Sequence, residues 1–228
     1  GNWGKDVRDD FSITETEISR AIPRMKALGA KFVRIMSYKV LDQEDQLADE
    51  RIRRLRLIVD AFAAEGITSV HENCMNYGGM SWKHTMELVE AVPGMKLVFD
   101  TCNPVFNRDH SRDDKPWQDA WEFYQNVKEH ISYIHVKDGL NPSPENGNKE
   151  VYTYPGEGQG CVKEIMQDLK ESGYEGGISI EPHLAAVFHD ADSQNHTDED
   201  PKDIYIRYGQ KLMEILSSIG YEHSPYQP

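Results

Sequence analysis

Four side chains stand at or near the ends of short β-branched or aromatic runs. Glu72 follows Thr68-Ser-Val-His71, and Asp100 follows Lys96-Leu-Val-Phe99. His135 sits within Ile131-Ser-Tyr-Ile-His-Val136, and Glu181 follows Gly177-Ile-Ser-Ile180. They lie 28, 35 and 46 positions apart. Three carboxylates and an imidazole form a mixed oxygen and nitrogen donor set. Such a set suits one divalent ion, Mn²⁺ first and Mg²⁺, Co²⁺ or Zn²⁺ as substitutes, better than a thiolate-preferring metal. A single acid at a strand end is ordinarily just solvated, but four metal-competent ends in succession point to a metal site.

The elements that must position them are legible from periodicity. Those four runs and Phe32-Val-Arg-Ile-Met36 read as buried strands. Helical spacing falls between them: around Ile18 to Leu28 with Pro23 inside, Glu44 to Glu65, Trp82 to Val92, Pro116 to Glu129, Val162 to Glu171, and about Lys202 to Ser218. Glu44 to Glu65 uses Leu47, Ile52, Leu55, Val59 and Phe62, and Pro116 takes a tolerated first-turn position. Strands alternating with helices imply βα units and a parallel sheet, whose C-terminal strand ends share one face. Residues 139–160 and 189–203 read as long loops, both following strands. No break in composition marks a second domain, so residues 1–228 read as one domain.

The phrases His71-Glu-Asn73, Phe99-Asp-Thr-Cys-Asn103, Ile134-His-Val-Lys-Asp138 and Ile180-Glu-Pro-His183 resemble strand-end motifs of the xylose isomerase-like TIM barrels. That superfamily includes sugar phosphate isomerases and epimerases, inosose dehydratases and AP endonucleases of family 2. The resemblance extends to Pro155-Gly-Glu-Gly158 and Gly173-Tyr174. It implies a (β/α)8 barrel in which the five visible strands are the fourth to the eighth. At about 31 residues per unit, the first three βα units, roughly 60–90 residues, would precede this chain in full-length relatives. The absence of an initiator Met fits a processed or partial chain. A partial barrel would expose sheet edges, so homo-oligomerisation is expected.

The resemblance also implies roles. Glu72, Asp100, His135 and Glu181 would bind one metal, with Glu72 and Glu181 as the catalytic acid/base pair for proton transfer through an enediolate. Lys137 points the same way as His135 and can meet a substrate oxygen or phosphate, or pair with Asp138 or a neighbouring acid. His183 can contact substrate, orient a ligand, or be a plain loop histidine. His71 faces the other side of its strand and reads as a buried structural histidine. Asn103 stands where the epimerases carry a substrate-binding His, and Asn141 near where they carry an Arg. Trp3, Lys5, Arg34 and Tyr38 are candidate wall residues, while His84, His189 and His196 read as solvated. Glu157 and its glycines belong to no nucleotide-binding signature and read as turn chemistry.

Composition narrows the function. The 228 residues carry 39 acidic against 25 basic side chains, a formal charge of −14. This argues against nucleic-acid partners. An endonuclease IV type nuclease is disfavoured further, because no His lies between Val136 and Ile180 to hold additional zinc. Three cysteines without a CxxC suggest a reducing, cytoplasmic setting. No apolar run is long enough for a membrane span. The expected activity is a sugar or sugar phosphate isomerase or epimerase. A lyase of the inosose dehydratase kind, acting on a cyclitol, is the alternative, and a non-catalytic sugar or metal binder ranks below both.

Overall fold

The computed structural model describes residues 5–184 and 200–221. In chain order its helices and strands are α1 (Ser12–Ala27), β1 (Phe32–Ile35), α2 (Ala48–Ala63), β2 (Thr68–Glu72), α3 (Trp82–Ala91), β3 (Lys96–Asp100) and α4 (Asn103–Phe106). There follow α5 (Ala120–Val127), β4 (Ile131–Val136), β5 (Asp138–Leu140), β6 (Val151–Thr153), α6 (Val162–Glu171), β7 (Gly177–Ile180) and α7 (Pro201–Ser218). Strands β1, β2, β3, β4 and β7 lie side by side in that order, all parallel, as a half-barrel.

Alternation along each strand separates two faces. The outward residues Leu97, Phe99, Ile134 and Val136 pack with Phe123 of α5, Ile165 and Met166 of α6 and Leu212 of α7. A second cluster joins Ile35 of β1 to Leu55, Val59 and Phe62 of α2 and Leu88 of α3. Helix α6 shows why these helices form: Val162, Ile165, Met166 and Leu169 recur at helical spacing on one buried stripe, and Gly173, at φ 72°, lets the chain turn out. The other parity faces inward: Arg34, Glu72, Asp100, His135 and Glu181. His71 has the opposite parity and is fully buried against the helices, with Nε2 3.0 Å from Ser37 Oγ.

One irregularity decides whether the inward set lines up. Between β3 and β4, Leu97 pairs with Ile131 but Val98 pairs with Tyr133, so Ser132 is an extra residue. The bulge brings Asp100 opposite His135. Without it Asp100 would face Ile134, because a one-residue slip exchanges the two faces of a strand.

Several boundaries differ from the sequence reading. Helix α2 starts at Ala48 rather than Glu44, because Asp45 Oδ1 accepts the Leu47 N–H at 2.8 Å and Gln46 Oε1 accepts the Leu41 N–H at 2.8 Å. These side-chain bonds hold residues 41–47 in a turn, and Leu47 takes a left-handed φ of 54°. Helix α5 starts at Ala120 rather than Pro116, because Asp119 caps it by accepting the Glu122 N–H at 2.8 Å. Residues 139–160 are not all loop: β5 and β6 pair as an antiparallel hairpin. His84 is half-buried rather than solvated, its Nδ1 2.7 Å from Ser81 Oγ and its ring edge-on to Tyr77. His189 and His196 lie outside the described residues.

Candidate metal centre

Glu72 ends β2, Asp100 ends β3, His135 lies one residue from the end of β4, and Glu181 follows β7. Their shared parity and the β4 bulge bring one donor atom from each to within 4.8 Å of all the others. Donors 2.0–2.2 Å from an ion stand at most about 4.4 Å apart, so the four need close by only a few tenths of an ångström to hold one.

The imidazole is the hub. His135 Nδ1 lies 3.2 Å from Glu72 Oε1 and 2.9 Å from Glu181 Oε2. Burial works to lower its pKa, but contacts with Glu181 and Glu72 outweigh this and raise it to about 9. A proton there does what a cation would do between two carboxylates. Burial pushes the Glu72 and Glu181 carboxyls upward, yet both sit below the ordinary range: His135 and Arg34 act on Glu72, and His135 and His183 act on Glu181.

Asp100 is fully buried. Its Oδ1 accepts the backbone N–H groups of Cys102 at 2.9 Å and Asn103 at 2.8 Å. Its Oδ2 accepts no well-aligned hydrogen bond, although Lys137 Nζ lies 3.0 Å away. A buried carboxylate oxygen with no aligned hydrogen bond, beside two glutamates and a histidine, fits a divalent ion. Cys74 nearby keeps its proton, since burial drives its thiol up to about 12.

Of the residues expected at the substrate, four line one cleft with Glu72 and Glu181: Arg34, Asn103, Lys137 and His183. Arg34 Nη1 is 2.9 Å from Glu72 Oε2. Lys137 is 4% exposed and donates to Asn103 Oδ1 at 2.9 Å. Burial opposes its charge, but Asp100 and Glu181 raise its pKa well above the usual lysine value. Its ion-pair partner is therefore Asp100, not Asp138. Asp138 instead accepts four backbone N–H groups, from Gly139, Gly156, Gly158 and Gly160, at 2.8–3.0 Å. At Gly158 a Cβ would stand 2.3 Å from Asp138 Oδ1, so turn chemistry alone does not account for that glycine. His183 Nε2 lies 3.4 Å from Glu181 Oε1.

Two expected wall residues are elsewhere. Tyr38 is 4% exposed and packs with Val7 and Leu41, and Lys5 pairs with Glu17 of α1. Both line an adjoining groove between α1 and β1, which shares Arg34 and Met36 with the cleft. Trp3 lies outside the described residues. Asn141 is not on the cleft; its N–H binds Gln159 Oε1. The sequence reading missed Phe106 of α4 and Glu150 and Tyr152 beside and on β6, which complete the cleft. Tyr152 packs edge-on to Phe106 and His183, at 5.0 and 5.1 Å between ring centroids. The alternation in Val151-Tyr-Thr-Tyr154 was the available signal.

A parallel β/α half-barrel with acids and a histidine converging at its C-terminal strand ends defines the class: a TIM-barrel protein with a candidate cation centre. A model of the xylose isomerase-like TIM barrel matches residues 6–204, and the chain belongs to that family. A comparison with curated protein sequences gives no match. Among solved structures, the chain is similar to a xylose isomerase domain protein from Planctomyces limnophilus, with TM-score 0.66 and 18% identity over 90% of this chain. It spans 64% of that protein's length. A xylose isomerase-like TIM barrel protein from Mycobacterium smegmatis in complex with magnesium gives TM-score 0.66 and 17% identity, covering 92% of this chain and 70% of that one. D-psicose 3-epimerase with D-tagatose, from Clostridium cellulolyticum H10, gives 0.65 and 15%, covering 93% and 73%. Among the described residues no helix is long and apolar enough to cross a membrane.

Proposed function

We propose that the chain carries the metal centre of a sugar or sugar phosphate isomerase or epimerase that transfers a proton next to a carbonyl through an enediolate. The observation that carries this reading is the pair of ionised carboxylates, Glu72 and Glu181, on either side of His135 Nδ1 at the base of an open cleft. A bound divalent cation, Mn²⁺ in this reading, supplies the Lewis acidity that stabilises the enediolate.

The chain's own residues do the rest. Glu72 and Glu181 approach from different strands, so one removes a proton from one face of the substrate carbon and the other returns it on the opposite face. Depressed carboxyl pKa values keep both unprotonated at neutral pH. Asp100 and His135 would hold the ion, and Lys137, 3.0 Å from Asp100 Oδ2, opposes the upward push of burial on that carboxyl. Arg34 holds Glu72 Oε2, and His183 holds Glu181 Oε1. Asn103 and Lys137 offer hydrogen bonds to substrate hydroxyls, while Tyr152 and Phe106 form an apolar wall that excludes water. The open β1 edge favours self-association.

The test is proton exchange in D₂O with a panel of ketoses and inososes, under Mn²⁺ and under Mg²⁺. Deuterium entering next to the carbonyl, and lost in Glu181→Gln, supports the reading. An isomeric sugar as product marks the isomerase, and loss of water marks the lyase. No exchange with any substrate overturns it.

A further inference from the structure

The backbone ladder between β2 and β3 ends where Glu72 pairs with Val98, two residues short of Asp100. Asp100 is held all the same. Asn73 Oδ1 accepts the Asp100 N–H at 2.8 Å, and Asn73 Nδ2 donates to the Asp100 carbonyl at 3.0 Å. The next strand pair repeats the device. Thr101 Oγ1 accepts the Lys137 N–H at 3.1 Å and donates to the Lys137 carbonyl at 2.5 Å. In each case one side chain satisfies both backbone groups of a residue on the neighbouring strand, as a peptide group would in a continuing ladder.

Three observations make this more than tidy packing. Asn73 and Thr101 each directly follow a candidate ligand, Glu72 and Asp100. Both are buried, at 3% and 0% exposure, so their hydrogen bonds meet no competing solvent. Each also grips a residue that matters to the centre. With its backbone tied to Asn73 and its Oδ1 tied to Cys102 and Asn103, Asp100 can offer only Oδ2. The residue 3.0 Å from that oxygen, Lys137, is the one Thr101 holds.

We propose that Asn73 and Thr101 are positioning residues of the metal centre. Their side chains replace the missing ladder peptides and fix Asp100 Oδ2 and Lys137 relative to Glu72 and His135, so the ligand geometry exists before an ion enters. The proposal rests on the metal-centre reading above and adds that affinity depends on these two clamps.

The experiment compares wild type with Thr101→Val, which keeps the shape and loses the hydroxyl, Thr101→Ser, which keeps the hydroxyl, and Asn73→Ala. Co²⁺ affinity and the Co²⁺ visible absorption band are measured on each. Amide hydrogen exchange at Lys137 is followed by NMR after chelator treatment. Thr101→Val and Asn73→Ala are expected to weaken Co²⁺ binding about 10- to 100-fold, as loss of groups that orient metal ligands does elsewhere. Both should also shift the band. Thr101→Ser should restore affinity and band, and Lys137 exchange should quicken in Thr101→Val alone of the Thr101 pair. Should Asn73→Ala fail to fold, the Thr101 pair carries the test. Folded variants that bind Co²⁺ with wild-type affinity and band overturn the proposal and leave the metal centre standing. A wild type that binds no Co²⁺ overturns both.

Discussion

Glu72 and Asp100 end interior strands, with side chains 3% and 0% exposed, whereas Glu181 follows the edge strand β7 and is 27% exposed. Asp100 is fixed from several directions by Asn73, Cys102, Asn103 and Lys137, and the Glu72 carboxylate is held by Arg34 and His135. Beyond the backbone bond from its own N–H to Val136, Glu181 is held through its carboxylate by two histidines. The same contrast runs through the sheet. Val70, Val98 and Ile134 on the inner strands are at most 4% exposed, while Phe32 on β1 is 42% exposed and α1 buries no residue. One side of the centre is thus rigid because the sheet continues past it. The other, with Glu181, opens to the cleft.

The sharpest way to break this comparison is to remove one carboxylate from each side. Asp100→Ala strands the buried Lys137 ammonium and should cost about 3–5 kcal/mol in urea denaturation. Glu181→Ala should cost less, since Glu181 is itself 27% exposed at the sheet edge. Equal losses would show that the two sides are built alike.

Two histidines sharpen it through pH. Burial lowers the His71 pKa from 6.5 to about 4, so between those values the unfolded chain binds more protons than the folded one. Stability should therefore fall as pH drops through that window, by about 2–3 kcal/mol. Denaturation of His71→Asn across pH 4–7 should show a flatter slope. His135 has the opposite sign. Its pKa is raised to about 9, against the effect of burial, by Glu181 and Glu72, so its contribution is full below 6.5 and lost as pH rises through 9. In chelator the fold should weaken over that alkaline range by a comparable amount, and saturating Mn²⁺ should abolish the effect because the ion takes the proton's place. An alkaline loss unchanged by Mn²⁺ would contradict the shared hub.

The smallest effect belongs to Arg34, 44% exposed on the edge strand. Arg34→Met should change stability by less than about 1 kcal/mol while raising KM in the exchange assay. A stability loss near that of Asp100→Ala would place Arg34 on the rigid side.

Much of this was legible along the chain. The five parallel strands, the placement of helices α3, α6 and α7, and the inward parity of the four metal-competent residues follow from local periodicity, which each segment displays by itself. The early start expected for α2 and α5 failed because single polar side chains, Asp45 and Asp119, overrode the apolar pattern. The hairpin β5–β6 went unread because strands of three residues show only a brief alternation, as at Val151-Tyr-Thr153, which does not stand out from a loop rich in Gly, Pro and Asn.

By itself, then, the sequence determined which residue types end which strands, and hence that acids and a histidine would meet at one face. Only the tertiary structure decided that they meet at the same height, through the extra Ser132 in β4. It also decided that Lys137 pairs with Asp100 rather than its neighbour Asp138, and that Asn73 and Thr101 finish the ladder. Periodicity is a property of one segment. Register and partner choice are settled between strands 27 to 63 residues apart, where competing backbone and side-chain bonds are compared in space rather than along the chain.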